Sequence, residues 1–252
     1  MNMKKYKFIL ISVFALLFST TNSIGQNSIP LDGMVLWIRA DSVKIENNEI
    51  VKLYDLSGMK NDAIKDQLPG ITYNMPIIVN NAYNGNPVLR FDGRFTGFTF
   101  SNIVDMRTII VVLKKDSTEC LERLPNWKTP ARFFLGQDDN ITNFHPEHGC
   151  YIYNTNLGEV SPNLVNGLTF KNGIPVADGR RTDFPFTLGI VSMIPIGPVK
   201  ASTVARDRKF LDRSWFGDIA EIIVYNKSLK IEDLQKIHAI LAKKYGIING
   251  KI

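Results

Sequence analysis

Apolar residues recur along the chain in short runs rich in β-branched and aromatic side chains, and Gly, Asn, Asp and Pro separate them. Runs of this kind at close spacing predict a β-sandwich or barrel. The candidate strands cover residues 34–39, 50–54, 88–91, 96–100, 108–113, 132–135, 150–153, 168–171, 186–193, 201–205 and 218–225. Asn172-Gly173 sits between two such runs and signals a tight turn. Only one segment carries a convincing helical period. Ser228 is placed to cap it, Glu232 and Asp233 lie in its first turn, and Leu234, Ile237, Leu241 and Tyr245 share one face before Gly246 ends it. His238 falls beside that stripe and reads as a partly buried or surface histidine.

The first residues follow a different rule. Lys4, Lys5 and Lys7 precede an apolar run over 8–18, and a polar stretch then leads to Gly25. Charge, a short apolar core and a small residue in that order describe a secretory signal, and the run is well short of the roughly 20 residues that cross a bilayer. Cleavage after Gly25 is expected, leaving a single domain over 26–252 that is secreted or periplasmic and is not an integral membrane protein. No cysteine lies near the cut to receive a lipid. No internal repeat, low-complexity linker or heptad run divides the remainder, and no sorting domain is expected after Gly246.

Charge adds little. The whole chain carries +6, and three of its 30 basic residues lie in the signal, leaving 27 against 24 acidic ones. So slight and interspersed an excess argues against a nucleic-acid partner. The two cysteines, Cys120 and Cys150, are expected to form a disulfide in an oxidising compartment, with two buried free thiols as the alternative.

Two stretches carry a family pattern. The first contains Leu36-Trp37-Ile38-Arg39-Ala40-Asp41, then Tyr54-Asp55-Leu56-Ser57-Gly58, Asn61-Asp62-Ala63 and Asn84-Gly85-Asn86-Pro87-Val88-Leu89-Arg90-Phe91-Asp92-Gly93. The second runs from Gly217-Asp218-Ile219-Ala220-Glu221-Ile222 through Tyr225 and Leu229 to Lys243-Lys244-Tyr245-Gly246. Together they resemble the laminin-G-like branch of the concanavalin A-like lectin/glucanase superfamily, as found in secreted proteins of Bacteroidota. The resemblance spans about residues 30 to 247 and is specific at both ends; Tyr54 stands where many relatives have Trp. It implies a jelly-roll β-sandwich of two antiparallel sheets with one C-terminal helix. It also allows a structural calcium on loop oxygens and implies no other cofactor. The motif residues themselves read as turn and strand chemistry.

The superfamily includes hydrolases and lyases, so carboxylate patterns matter. Retaining glycosidases hold two carboxylates about 5 Å apart, and strand-borne versions alternate along a strand with period two. No Glu-x-Asp-x-Glu run exists, and Asp218 and Glu221, three apart, are expected on opposite faces. Gln235 and His238 lie on the helix, away from any strand-borne lyase motif. A serine elbow and a phosphate loop are both absent. No catalytic residue is therefore assigned.

Two polar stretches remain. Asp138, Asp139, His145, Glu147 and His148 lie within a dozen residues and could hydrogen-bond sugar hydroxyls or hold a metal, although Pro146 and Gly149 make this a loop without fixed ligand spacing. Arg206-Asp207-Arg208 followed by Arg213-Ser214-Trp215 offers charged groups beside an indole, as carbohydrate recognition uses. Trp215 also precedes the last strand, where a core position is natural. Two glycosylation sequons, at Asn140 and Asn226, matter only in a eukaryotic secretory host. The leading expectation is a secreted, non-catalytic module that binds extracellular carbohydrate. Its loops could equally take a protein partner; the alternatives are a divergent glycoside hydrolase or polysaccharide lyase of the same fold and a structural adhesion or assembly module without a small ligand.

Overall fold

The computed structural model describes residues 28–67, 70–72, 74–121, 130–138, 143–148, 150–156, 158–208, 210 and 212–248. Fourteen strands and three helices are assigned: β1 Met34–Arg39, β2 Val43–Glu46, β3 Glu49–Leu53, β4 Ala63–Lys65, β5 Ile77–Tyr83, β6 Asn86–Asp92, β7 Phe98–Met106, β8 Thr108–Lys115, α1 Thr118–Leu121, β9 Leu135–Gly136, α2 Pro162–Val165, β10 Leu168–Lys171, β11 Ile174–Pro175, β12 Gly189–Ile194, β13 Val199–Val204, β14 Phe216–Tyr225 and α3 Ile231–Tyr245. They form two antiparallel sheets. The first has the order β11-β10-β12-β8-β14-β6-β5, with β1 also on β14; the second has the order β2-β3-β4-β7-β13-β9. This is an all-β sandwich of two antiparallel sheets with a C-terminal helix. No helix among the described residues is long and apolar enough to cross a membrane.

The first sheet is apolar on both faces, as its continuous runs require. In β8, Ile109, Val111 and Leu113 point into the core between the sheets, while Ile110 and Val112 point outward into a second core under α3. Leu234, Ile237, Leu241 and Tyr245 of α3 close that second core, each contributing roughly 1.5–3 kcal/mol by burial. His238 is fully buried there rather than at the surface, its Nε2 2.9 Å from Ser192 Oγ. Burial pushes its pKa down to about 4.

The Asp55-Leu56-Ser57-Gly58 turn behaves as its chemistry implies. Asp55 accepts N–H bonds from Trp37, Ser57 and Asn61, each at 2.9 Å. Gly58 takes a φ of +87°. One carboxylate thus ties β1 in the first sheet to the turn after β3 in the second.

Three details depart from the sequence pattern. Helix α3 begins at Ile231 with Lys230 in the N-cap position and no side-chain cap bond, so Ser228 does not cap it. Strands are not formed over most of 132–135 and 150–153, where only β9 and single bridges occur; side-chain bonds hold those segments instead. Most consequential is a β-bulge in β14. Ile219 pairs with Leu113 and Glu221 with Val112, leaving Ala220 as the extra residue. Asp218 and Glu221 therefore share the outer face, contrary to the parity of a regular strand. Asp218 bonds Arg90 of β6 there, and Glu221 bonds Lys244 and Tyr245 of α3.

Candidate functional site

Segments 130–138, 143–148, 150–156, 205–208 and 212–216 meet beside the start of β14. Ala205 N–H donates to Phe134 O and Trp215 N–H to Ala205 O, both at 2.9 Å, while Ala131 bridges His148. The two polar stretches read from the sequence are thus brought together, and the bond between Arg206 and Asp138 joins them directly.

Arg206 is 4% exposed. Its Nη2 donates to Asp138 Oδ1 at 2.8 Å, Thr99 Oγ1 at 3.0 Å and Asp66 Oδ1 at 3.2 Å, and its Nε pairs with the other oxygen of Asp66. The cluster fits because residue 97 is glycine: a Cβ there would lie 2.4 Å from Asp66 Oδ2. Asp138 keeps an exposed carboxylate on this buried support.

Asp207 is fully buried and carries two arginines, with Arg208 Nη2 and Arg213 Nη1 each 2.9 Å from its Oδ2. Phe210, 42% exposed, has the Arg208 and Arg213 guanidinium carbons 4.6 and 4.3 Å from its ring centroid. Its N–H closes a turn onto Asp207 O at 3.1 Å. The result is an exposed ring flanked by two guanidinium groups that an interior carboxylate holds in place.

His145 and Glu147 serve the loop. His145 is buried, its Nδ1 2.8 Å from Pro146 O and its ring packed edge-on to Phe133 at 5.2 Å. Burial lowers its pKa, favouring the neutral ring. Glu147 accepts N–H bonds from His148 at 2.9 Å and Thr155 at 2.8 Å, and the Thr155 hydroxyl bond as well. Burial pushes the Glu147 carboxyl up, but these bonds outweigh it and hold its pKa below the usual value. His148 is half-buried. Asp139, and the sequon at Asn140, lie outside the described residues. Among the described residues no group of three or more His, Cys, Asp or Glu is arranged to hold a metal ion.

The stacking role considered for Trp215 does not fit its position. The indole is 0% exposed and packs edge-on to Phe184 at 5.2 Å and Phe134 at 6.2 Å. Lys115 Nζ lies 5.5 Å from its ring centroid, and burial pushes the Lys115 pKa down to about 8. Trp215 thus fills the core where the chain enters β14. Nearby, Cys120 and Cys150 form a disulfide with Cα atoms 5.7 Å apart, joining α1 to the histidine loop. Arg132 pairs with Glu119 and donates to Gly93 O at 2.6 Å and Asp212 O at 2.8 Å, fastening the same region.

Of the candidate residues, Asp138, His148 and Arg213 remain reachable by solvent, and Arg206, His145, Glu147 and Trp215 are interior supports. Sequence reasoning missed Asp66, Thr99 and Phe210. Nothing local marks Asp66 or Thr99, since only the fold brings them to Arg206. Phe210, an aromatic within a run of charges, was the available signal.

Known proteins add little to this geometry. Among solved structures, domain 4 of AbnA, an extracellular arabinanase of family GH43 from Geobacillus stearothermophilus solved with arabinotriose, superposes with a TM-score of 0.45 at 13% identity, covering 81% of this chain and 98% of that one. Trypanosoma rangeli sialidase in complex with sialic acid gives 0.42 at 12% identity over 86% of this chain, which spans about a third, 34%, of the sialidase. No protein-family model and no curated protein sequence matches the chain.

Proposed function

We propose that the protein is a secreted, non-catalytic carbohydrate-binding module of the laminin-G-like type, acting at the rim formed by Asp138, Arg208, Phe210 and Arg213. The observation that carries this reading is the exposed Phe210 ring between two guanidinium groups fixed by buried Asp207. Sugar recognition needs such a preformed set: an apolar face for the ring carbons and oriented donors and acceptors for hydroxyls. The bulge in β14 bears on the enzyme alternative. It places Asp218 and Glu221 on one face, but Asp218 is held by Arg90, and Glu221 accepts from Trp37 Nε1 at 2.6 Å, Lys244 at 2.6 Å and Tyr245 at 2.8 Å. Both carboxylates are thus committed to partners within the fold, which leaves neither placed against a glycosidic bond.

A glycan array probed with the wild type, Phe210→Ala and Arg213→Ala tests the reading. Wild-type binding that both variants weaken supports it. Binding unchanged in both variants, or a wild type that binds no glycan while retaining a protein partner, overturns it in favour of another surface or of the adhesion alternative. Secretion is tested separately by N-terminal analysis of exported protein, expected to begin at Gln26.

A further inference from the structure

We propose that the protein has a second carbohydrate-binding groove, on the outer face of the first sheet where α3 no longer covers it, and that this groove takes a neutral glycan chain. The proposal rests on the carbohydrate-binding reading above but concerns a different surface.

Helix α3 packs on the apolar part of this face, over Val88, Ile110, Val112, Ala220 and Ile223. One step further along the strands the face turns polar. Arg90, Asp218 and Lys114 stand directly opposite one another across β6, β14 and β8. Asp218 is 1% exposed and receives Arg90 Nε at 2.7 Å and Nη2 at 2.9 Å. The pair fixes the guanidinium plane, while the Arg90 side chain stays 47% exposed. Two of its five N–H groups are used in these bonds, so others can meet a ligand.

In the next row Phe216 stands opposite Asp92, and Asp116 N–H donates to Phe216 O at 3.0 Å. Both acids are oriented. Asp116 Oδ1 accepts the Thr118 N–H at 2.9 Å and hydroxyl at 2.7 Å, and Asp92 Oδ1 accepts the Arg94 N–H at 3.0 Å. Between Phe216 and Asp218 the strand is bare. Gly217 has a φ of +135°, and a Cβ there would lie 2.1 Å from Lys114 O, so no side chain can occupy the position. These residues line a cavity of about 420 Å³, a size typical of ligand sites.

The charge pattern selects the ligand class. Cations and carboxylates alternate across the row, and Arg90 and Asp218 neutralise each other. A charged glycan would meet both signs within one strand spacing of about 4.8 Å. A neutral chain can instead donate hydroxyls to Asp92 and Asp116, accept from Arg90 and Lys114, and lay a ring against Phe216.

The test uses the full protein titrated with soluble neutral oligosaccharides of gluco, xylo, arabino and manno configuration, followed by calorimetry and by amide chemical shifts. At least one of these is expected to bind and to shift the amides of Phe216, Gly217 and Lys114. Phe216→Ala should weaken that binding about tenfold and Lys114→Ala about threefold, each read at the amides of the groove. Lys114, half-buried at the groove edge, provides a variant that reports on binding if Phe216→Ala fails to fold. Oligosaccharide binding that is insensitive to Lys114→Ala and Phe216→Ala but lost in Phe210→Ala would overturn the groove and leave the rim reading standing. No binding of neutral oligosaccharides, with array signal retained for acidic glycans, would do the same. No glycan binding at all would overturn both.

Discussion

The two regions that flank β14 are stabilised by different means. Beneath α3, a stripe of apolar residues closes on an apolar sheet face; among the polar groups there, Glu221 bonds Tyr245 and His238 bonds Ser192 through Nε2 while its buried Nδ1 has no hydrogen-bond partner. At the rim, the backbone has little regular structure. A disulfide, Arg132 and the carboxylates of Asp66, Glu147 and Asp207 do the fastening. The contrast separates packing from positioning. The helix side supplies stability with no reachable chemistry, whereas the rim keeps a few reachable groups in fixed places by sinking their supports into the interior.

Substitutions can probe this division, and the largest effect should come from Trp215→Ala. It empties a fully buried site where rim and core meet, and it should cost about 3–5 kcal/mol by urea denaturation. A loss below about 1 kcal/mol would show that Trp215 does not join the two regions. Next, replacing Cys120 and Cys150 together by serine should cost about 3.5 kcal/mol, from the chain entropy of a loop with a separation of 30. Hydrogen exchange should locate the loosening in 143–156 and leave α3 protected; equal loosening of α3 would erase the distinction.

Acid should act on the helix side. His238 is neutral when buried, with a pKa of about 4, against about 6.5 in the unfolded chain. Between those values the unfolded chain binds the extra proton, so stability is fully present above about pH 6.5 and is lost as the pH falls toward 4. The linkage amounts to about 3 kcal/mol. In His238→Gln the slope of stability against pH over that window should flatten; an unchanged slope would assign it to other groups. The smallest stability change should follow Arg213→Ala, within about 1 kcal/mol, because its side chain is partly exposed. Its effect should show in glycan binding instead.

The same contrast explains what was legible in the sequence. The continuous apolar run in 108–113, the stripe from Leu234 to Tyr245 and the Asp55 turn are local signals, and each element stands where its pattern places it. The strands β2, β4 and β5 escaped because β2 and β5 are edge strands and β4 is only three residues long, so their mixed, partly exposed residues leave no apolar run longer than Ile77-Ile78-Val79. At the rim, the relevant residues were named but their roles were not separable. Arg206 and Arg213 look alike in sequence. One is buried against Asp66, far away in the chain, and the other reaches solvent, a distinction only tertiary pairing creates. Trp215 shows the same limit, since an indole among charges suits a sugar platform and a core plug equally.

The extra residue in β14 has a consequence for how this segment can change over time. Ala220 shifts the parity of the strand, so everything after it points the opposite way from what an uninterrupted ladder would impose. Drift in side-chain identity on either side is tolerable so long as size and polarity suit the two cores. Loss of a single codon at 220 is a different event. It would remove the bulge and join Ile219 to Glu221 in ordinary alternation, leaving Ile222 and Val224 in the inner core, Ile223 outside it and Glu221 facing Trp37, Lys244 and Tyr245. What descent must preserve here is which face each side chain takes rather than the exact length of the segment or its letters.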